Sequence, residues 1–165
     1  MSTTFQSMQY RSFRHWFIAN ALAASAQWMQ RVAQDWLVLT VLTDNSSFQV
    51  GIVTALQFLP LLLFSPYAGV VVDRVDRKTI IQITQCSFGV FGLLLGIMVF
   101  TGHASLWLVY LLAFGGGLAA SFDSPARQAF VSELVPARSI TNAVALNSVA
   151  FNFARLIGPA ISGLM

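Results

Sequence analysis

Charged side chains are scarce in this chain of 165 residues. Only 9% of the residues are charged, whereas soluble domains carry roughly 25%. Hydrophobic residues make up 56%, which leaves too little polar surface to cover a soluble domain of this size. The pI near 9.6 comes from nine basic residues that are not clustered in one segment. The composition therefore excludes an ordinary soluble enzyme, a disordered tail and a nucleic-acid-binding domain, and it indicates an integral membrane protein.

The residues of common enzyme and metal sites are also missing. Cys86 is the only cysteine, so the chain cannot form an internal disulfide. His15 and His103 are isolated, and we predict no metal site. The sequence contains no nucleophile elbow, no phosphate-binding loop and no zinc-protease motif. We therefore predict neither an enzymatic activity nor a bound cofactor.

Five apolar segments are present, and a membrane-spanning helix needs about 20 apolar residues. The connections after the first three segments are short, so neighbouring helices must run antiparallel. The sequence predicts an all-α integral membrane fold with one membrane domain over residues 1–165. The predicted spans are residues 16–42, 50–72, 79–100, 106–122 and 143–165.

The basic residues outside the spans all lie on one side of the predicted bundle. The two opposite loops, residues 43–49 and 101–105, contain no Lys or Arg. Lys and Arg are retained on the cytoplasmic side of membrane proteins. We therefore expect a multi-pass protein of the cytoplasmic membrane with a cytoplasmic N-terminus. The seven residues are Arg11, Arg14, Arg74, Arg77, Lys78, Arg127 and Arg138.

The N-terminal segment has a second interpretation. Arg11 and Arg14, an apolar run and the small residues at 24–26 resemble a cleavable signal peptide. Asn20 interrupts the short apolar run, and apolar sequence resumes after Gln27. We therefore favour a retained first span.

The first span carries its polar residues on one helical face. Their offsets of 0, 3, 4, 7 and 8 residues match the 3.6-residue period of a helix, whereas Trp28 and Trp36 fall on the other face. Three interpretations are open: the lining of a translocation pathway, which we favour, a structural Arg31–Asp35 pair, or a hydrated helix end. The five residues are Gln27, Gln30, Arg31, Gln34 and Asp35.

The last span also contains a charge, Arg155, close to its middle. Such a residue usually faces a cavity or a partner, because a charge in the hydrocarbon is costly. Asn147 is eight residues earlier on nearly the same face, and we assign both to the predicted pathway. Four small residues at four-residue spacing predict close approach of another helix, and Pro159 predicts a bend. The four are Ala150, Ala154, Gly158 and Ser162.

The connection between the second and third spans holds the most specific pattern of the chain, residues 69–78. It resembles the loop motif of the major facilitator superfamily of transporters, with the pattern G-x-L-a-D-R-x-G-R-K. Val71 and Asp76 depart from that pattern, and Asp76 makes the turn less dependent on a positive φ. The resemblance implies a gating latch between the two halves of the transporter that holds one access state and releases it during the cycle, whereas a basic loop alone would only fix topology. The latch residues are Gly69, Asp73, Arg74, Asp76, Arg77 and Lys78.

Two further segments resemble exporters of the same superfamily. Gly158 and Pro159 lie in a segment similar to the Gly-Pro motif of the fifth helix, which is associated with efflux. Residues 124–147 resemble the branch that includes enterobactin exporters. Many drug–proton antiporters have an Arg in the fourth helix, and here residues 111–113 are Leu-Leu-Ala. We expect Arg31 or Arg155 to take over its part in proton coupling.

The resemblance implies that the chain corresponds to the first five helices of a twelve-helix fold in two halves. We therefore expect a truncated chain or a fragment whose partners are the lipid bilayer, a small-molecule substrate and the remainder of the transporter. The implied activity is export by alternating access, with the proton gradient as the energy source and no cofactor. The alternative is a non-transporting membrane module or remnant that acts as an assembly partner.

Overall fold

The computed structural model describes the backbone of residues 3–163 and the side chains of residues 6–161 and 163. Within this range every regular element is helical, so the all-α prediction is confirmed. A 3-10 segment, Thr3–Gln9, precedes the first long helix, and another, Ala137–Ser139, precedes the last. The π-helical turn Val38–Leu42 continues the first long helix. The long helices are α1 (Arg11–Leu37), α2 (Ser47–Arg74), α3 (Arg77–Phe100), α4 (Leu106–Glu133) and α5 (Ile140–Ser162).

Helix α4 is longer than the sequence predicts. The predicted span ends at Phe122, where apolar residues give way to Asp123 and Ser124, but the helix continues to Glu133. Polar side chains end a hydrocarbon span without ending the backbone hydrogen bonds of a helix, and several residues of 126–133 have high helix propensity. Arg127, predicted in a connection, therefore lies on α4.

Four helical segments within residues 3–163 are long and apolar enough to cross a membrane. Helix α1 is not among them, although it has 27 residues, because its charges and its row of glutamines lower its apolar character. The helix that carries most of the predicted pathway residues is thus the least apolar of the five. The four segments are Ser47–Arg74, Arg77–Phe100, Leu106–Glu133 and Ala137–Ile161.

The contacts within the chain group into two compact units. The terminal unit combines the residues up to Val32 with those from Arg127 onward, and the central unit covers Ala33–Ala126. Each unit has its own apolar core. The buried core of the terminal unit comprises Phe13, Val131, Val135, Ala143 and Leu146. The buried core of the central unit comprises Leu37, Val38, Val53, Leu95, Val109, Leu112 and Ala113.

Polar contacts fix the start of α5 in the terminal unit. The Ser7 backbone N–H donates to Asn142 Oδ1 at 3.0 Å. The Ser7 hydroxyl donates to the Ser139 carbonyl oxygen at 3.1 Å. Ser7 and Ser139 are fully buried, so the N-terminal 3-10 segment is packed against the end of the unit at which α5 begins.

Close backbone packing joins α2 and α4 in the central unit. A Cβ atom added to Gly117 would collide with the carbonyl oxygen of Gln57. The two helices therefore approach too closely for a side chain at residue 117. Of the three consecutive glycines in α4, Gly117 has this steric role, whereas Gly116 has open space around its position.

Candidate functional site

The predicted gating motif spans the end of α2 and the start of α3. Asp76 is the N-cap of α3: its Oδ2 accepts from the Thr79 backbone N–H at 3.0 Å and from the Thr79 hydroxyl at 2.8 Å. The φ angle of Asp76 is −54°, which confirms that this turn needs no positive φ. The side-chain bond from Thr79, followed by its backbone bond, lowers the pKa of the Asp76 carboxyl below its usual 3.8.

The other members of the motif present charges at the surface of the central unit. Asp73, Arg74 and Lys78 are exposed, and Arg77 is half-buried. A Cβ atom on Gly69 would meet nothing within 4 Å, so the described residues impose no steric need for glycine there. The structure places the motif on one short connection as predicted, and the latch itself stays a prediction.

The first part of the α1 stripe belongs to the terminal unit. Gln27, Gln30 and Arg31 are all half-buried there. The Gln27 Nε2 atom is buried, with no hydrogen-bond partner among the side chains that the structure describes. A buried amide without a partner is rare in proteins, because losing its bonds to water costs free energy. Gln27 is therefore an unusual polar group within the terminal unit.

The second part of the stripe belongs to the central unit and has a different environment. Gln34 is 5% exposed, and its Nε2 donates to the Val109 carbonyl oxygen of α4 at 3.3 Å. This bond gives Gln34 a role in holding α1 to α4. Asp35 is half-buried, one helical turn beyond Arg31 along α1.

Trp28 contacts two arginines of the terminal unit, Arg31 and Arg155. The guanidinium carbon of Arg31 lies 5.1 Å from the centre of the Trp28 ring, and that of Arg155 lies 5.5 Å from it. Both distances are in the range of cation–π contacts. Phe151 packs edge-on against the same ring at 6.2 Å. The sequence predicts both arginines as pathway residues, but it does not predict that one ring joins them.

The small residues of α5 form its crossing with α1. A Cβ atom on Gly158 would lie 2.6 Å from Trp28 Cβ and 3.2 Å from the Ser25 carbonyl oxygen. Ala150 and Ala154 are buried on the same helix, and the close approach itself is seen at Gly158. Ser162 belongs to the same predicted row, but its side chain is outside the described residues.

Pro159 follows Gly158 within α5. Its ring nitrogen has no hydrogen to donate, so the carbonyl of Arg155, four residues earlier, lacks the usual helical partner. Gly158 therefore sets the contact with α1, and Pro159 weakens the backbone beside Arg155.

A polar cluster in the terminal unit was not predicted. Asn20 Nδ2 donates to Asn147 Oδ1 at 2.7 Å, and the Arg127 guanidinium donates to Asn20 Oδ1. Asn20 is 5% exposed, so these bonds satisfy a buried amide between α1, α4 and α5. Asn147, predicted as a pathway residue, is thus part of a helix-joining cluster. The signal in the sequence was Asn20 itself, a polar residue inside an apolar run.

A second unpredicted cluster lies in the central unit around Asp123. Its Oδ1 accepts from the Thr84 hydroxyl at 2.6 Å and from Gln85 Nε2 at 3.1 Å. Asp123 is only 6% exposed, and Thr84 is buried beside it. The sequence prediction missed this carboxylate because it ended the fourth span at Phe122, whereas α4 continues through Asp123 to Glu133.

Comparisons with known proteins agree with this architecture. The family model described as transmembrane secretion effector matches residues 2–165. The staphyloferrin A transporter of Staphylococcus aureus is 29% identical over 92% of the chain and 38% of its own length. Macrolide efflux protein A of Streptococcus pyogenes is 28% identical over 78% of the chain and 32% of its own length. The enterobactin exporter EntS of Shigella flexneri is 28% identical over 93% of the chain and 37% of its own length.

The chain spans about a third of the length of these curated relatives. No solved structure matches it. The family match covers nearly every residue, including the loop motif between α2 and α3 and the Gly-Pro segment of α5. The chain therefore belongs to the transmembrane secretion effectors, a family of major facilitator transporters, and is similar to members of its efflux branch.

Proposed function

We propose that the chain forms the first helices of an exporter that moves a small organic molecule out of the cytoplasm. Relatives that align with nearly the whole chain are named for a transported or exported compound, staphyloferrin A in one case and enterobactin in another. The chain matches about a third of these relatives, so the proposal includes further helices as its partners. In this arrangement the N-terminus is cytoplasmic and the lipid bilayer surrounds the bundle.

The observation that carries this proposal is the polar content of the terminal unit. Arg31 and Arg155 lie far along two long helices and share one aromatic ring. Nearby, the buried amide nitrogen of Gln27 has no partner among the described side chains. Charged and unsatisfied groups at such depth are costly in a helix that only anchors a protein. They are expected where helices line a path for a polar molecule.

Alternating access requires helices that change their arrangement, and the structure offers a place for this in the terminal unit. The α1–α5 crossing has no side chain at Gly158, and Pro159 removes a backbone hydrogen bond directly beyond it. A helix with a tight contact beside a missing hydrogen bond can bend there without losing its packing. We propose that α5 bends at this point during transport, and that the exposed Asp73 and Lys78 of the loop motif belong to the cytoplasmic gate.

Proton-coupled antiport is the mechanism we propose for the energy supply. An arginine keeps its proton in proteins, so Arg31 and Arg155 can tune a proton carrier but cannot be one. Asp35 and Asp123 are the carboxylates that lie well inside long helices, away from the connections. We therefore propose that one of these two groups binds and releases the transported proton.

The test is efflux from cells that produce the complete transporter. Macrolide, enterobactin and staphyloferrin A are loaded in turn, and their loss from the cells is followed with and without a protonophore. We expect at least one compound to be exported, and we expect the protonophore to stop its export. The Arg31→Ala and Asp35→Asn variants should export less at equal expression, whereas Arg14→Ala, an exposed residue near the start of α1, should match the wild type.

Export that persists at the wild-type rate in both Arg31→Ala and Asp35→Asn would contradict the pathway. Asp73→Asn tests the gate separately, because it removes an exposed charge without touching the core. We expect the Asp73→Asn transporter to insert into the membrane normally and to change between its access states more slowly. Unchanged transport in this variant would refute the latch while leaving the pathway in place.

A further inference from the structure

We propose that the N-terminal segment Thr3–Gln9 is a clasp that stays closed during transport and keeps the start of α5 fixed to the start of α1. The bending of α5 is then confined to the turn at Gly158 and Pro159. This inference rests on the proposed export function and gives the segment that precedes α1 a part in it. The observation behind it is the burial of Ser7 against the start of α5.

Ser7 joins the clasp to the start of α5 through both its backbone and its side chain. The N–H of Ser7 donates to Asn142 Oδ1 at 3.0 Å, and the hydroxyl donates to the Ser139 carbonyl oxygen at 3.1 Å. Ser7 and Ser139 are fully buried. A buried polar group that loses its partner pays the cost of its lost hydration. The two bonds therefore favour a closed clasp.

Apolar packing holds the same segment in place. Met8, directly after Ser7, and Tyr10, just before α1, pack against the buried core of the terminal unit. Phe13 in the first turn of α1 belongs to that core and is fully buried. The clasp cannot leave α5 without exposing apolar surface, which costs free energy.

Further contacts join α1 and α5 beyond the clasp. Asn20 Nδ2 of α1 donates to Asn147 Oδ1 of α5 at 2.7 Å. Farther along, the two helices are so close that a Cβ atom on Gly158 would lie 2.6 Å from Trp28 Cβ. The two helices are thus held together at the clasp, at the amide pair and at the crossing.

These contacts leave one weak turn in α5. Asn142 and Gly158 are about 24 Å apart along the helix at 1.5 Å per residue, and the joined part of α5 lies between them. Pro159, which removes a backbone hydrogen bond, comes directly after this part. A helix that is held along one stretch bends where its hydrogen bonds are interrupted, so the clasp directs the bend to Pro159.

Thiol labelling of the complete transporter tests whether the clasp is closed. Ser7→Cys and Ser12→Cys are compared in a Cys86→Ser background, and mass spectrometry follows the reaction of each introduced thiol with N-ethylmaleimide. Ser7 is buried, whereas Ser12 is exposed at the start of α1. A buried group reacts only when the structure opens locally, so we expect Ser7→Cys to react about tenfold or more slowly.

A second substitution tests the contact with α5. Asn142→Ala removes the acceptor of the Ser7 N–H and should speed the labelling of Ser7→Cys about fivefold, the scale of one lost hydrogen bond. Asn152→Ala removes an exposed amide from the same helix and should leave the labelling rate unchanged. Size-exclusion chromatography and thermal unfolding verify that each variant is folded.

A disulfide tests whether the clasp stays closed during transport. Ser7→Cys and Asn142→Cys are combined in the Cys86→Ser background and oxidised, and mass spectrometry measures the fraction that is cross-linked. We expect the cross-linked transporter to export at the same rate as the reduced one. The two single variants, oxidised in the same way, control for damage by the oxidant.

Export that stops on cross-linking and returns on reduction would overturn the proposal, because the clasp would then have to open. Equal labelling rates of Ser7→Cys and Ser12→Cys would overturn it as well. These outcomes are distinct from a failure of the exporter. Export combined with fast labelling would keep the exporter and reject the clasp, whereas slow labelling without export would support the closed clasp and reject the exporter.

Discussion

The two compact units of the chain differ in the sign of their charge. The terminal unit has six arginines and one glutamate, a formal charge of +5, whereas the central unit has three basic and five acidic residues, a formal charge of −2. Arginine keeps its proton, while a carboxylate can release one. The fixed positive charges are therefore concentrated in the terminal unit, whereas most of the groups that can release a proton belong to the central unit.

The polar clusters of the two units repeat this difference. In the terminal unit, Arg127 donates to Asn20, which donates in turn to Asn147. In the central unit, Thr84 and Gln85 donate to the carboxylate of Asp123. Neutral polar side chains thus contact a half-buried cation in one unit and a buried carboxylate in the other. Four predictions test this division, in order of the size of the expected effect.

Asp123→Asn gives the largest expected effect. The substitution keeps the shape of the side chain and removes the only group of the cluster that can exchange a proton. We expect export by the complete transporter to fall by about a hundredfold or more, the usual scale for a lost proton-transfer group, and residual export to be insensitive to the proton gradient. The measurement is efflux at several imposed pH differences.

Arg31→Ala is the matched variant from the terminal unit. It should lower export, but the remaining activity should still respond to the proton gradient. The opposite result would contradict this difference between the two units. In that case export by Arg31→Ala would not depend on the proton gradient, whereas export by Asp123→Asn would.

Gly158→Ala is expected to destabilise the terminal unit. The added Cβ would lie 2.6 Å from Trp28 Cβ, so α1 and α5 must separate, and overpacking of this kind costs about 1–3 kcal/mol. Gly89→Ala is the control in the central unit, since a Cβ there meets nothing within 4 Å. Thermal unfolding in detergent should show a lower midpoint for Gly158→Ala alone. Equal midpoints would mean that the crossing is not tight.

The buried amides of the terminal unit are expected to be coupled. Asn20→Ala and Asn147→Ala should each lower stability, and the double variant should lose less than the sum of the two, with a coupling of about 1 kcal/mol. Asn152→Ala, an exposed amide on α5, serves as the control and should show no coupling to Asn20→Ala. Strict additivity of Asn20→Ala and Asn147→Ala would show that their hydrogen bond contributes nothing.

The sequence predicted the helical fold because long apolar segments leave few alternatives to a helix in a membrane. It also located the loop motif, the polar face of α1 and the small residues of α5, since each follows from local spacing. The predicted end of the fourth helix was wrong because hydropathy indicates where the apolar part of a helix ends. It does not indicate where the helical hydrogen bonds end. That error removed Asp123 from the fourth helix and assigned Arg127 to a connection.

The contacts between distant residues could not be predicted from one sequence. Asn20 and Asn147 are 127 residues apart, and no local pattern relates them. The position of Trp28 shows the same limit: its place opposite the polar stripe predicts packing or lipid contact. Arg31 reaches the ring from three residues away on the same helix, whereas Arg155 of α5 reaches it only because the helices cross at Gly158.

Asp76 gives the smallest expected effect and contrasts with Asp123 of the same unit. Asp76 is exposed and caps α3 through Thr79, and these hydrogen bonds lower its pKa below the usual 3.8. The cap therefore contributes its full stability above the unfolded pKa and loses it as the pH falls through the lower folded value. Asp76→Ala should be slightly less stable than the wild type at pH 7, and thermal unfolding from pH 7 to pH 3 should show this difference shrinking.

Asp76→Asn is the control, because asparagine also caps helices but does not titrate. Its stability relative to Asp76→Ala should stay constant over the same pH range. A wild-type advantage that also persists unchanged to pH 3 would show that the carboxylate charge does not support the cap.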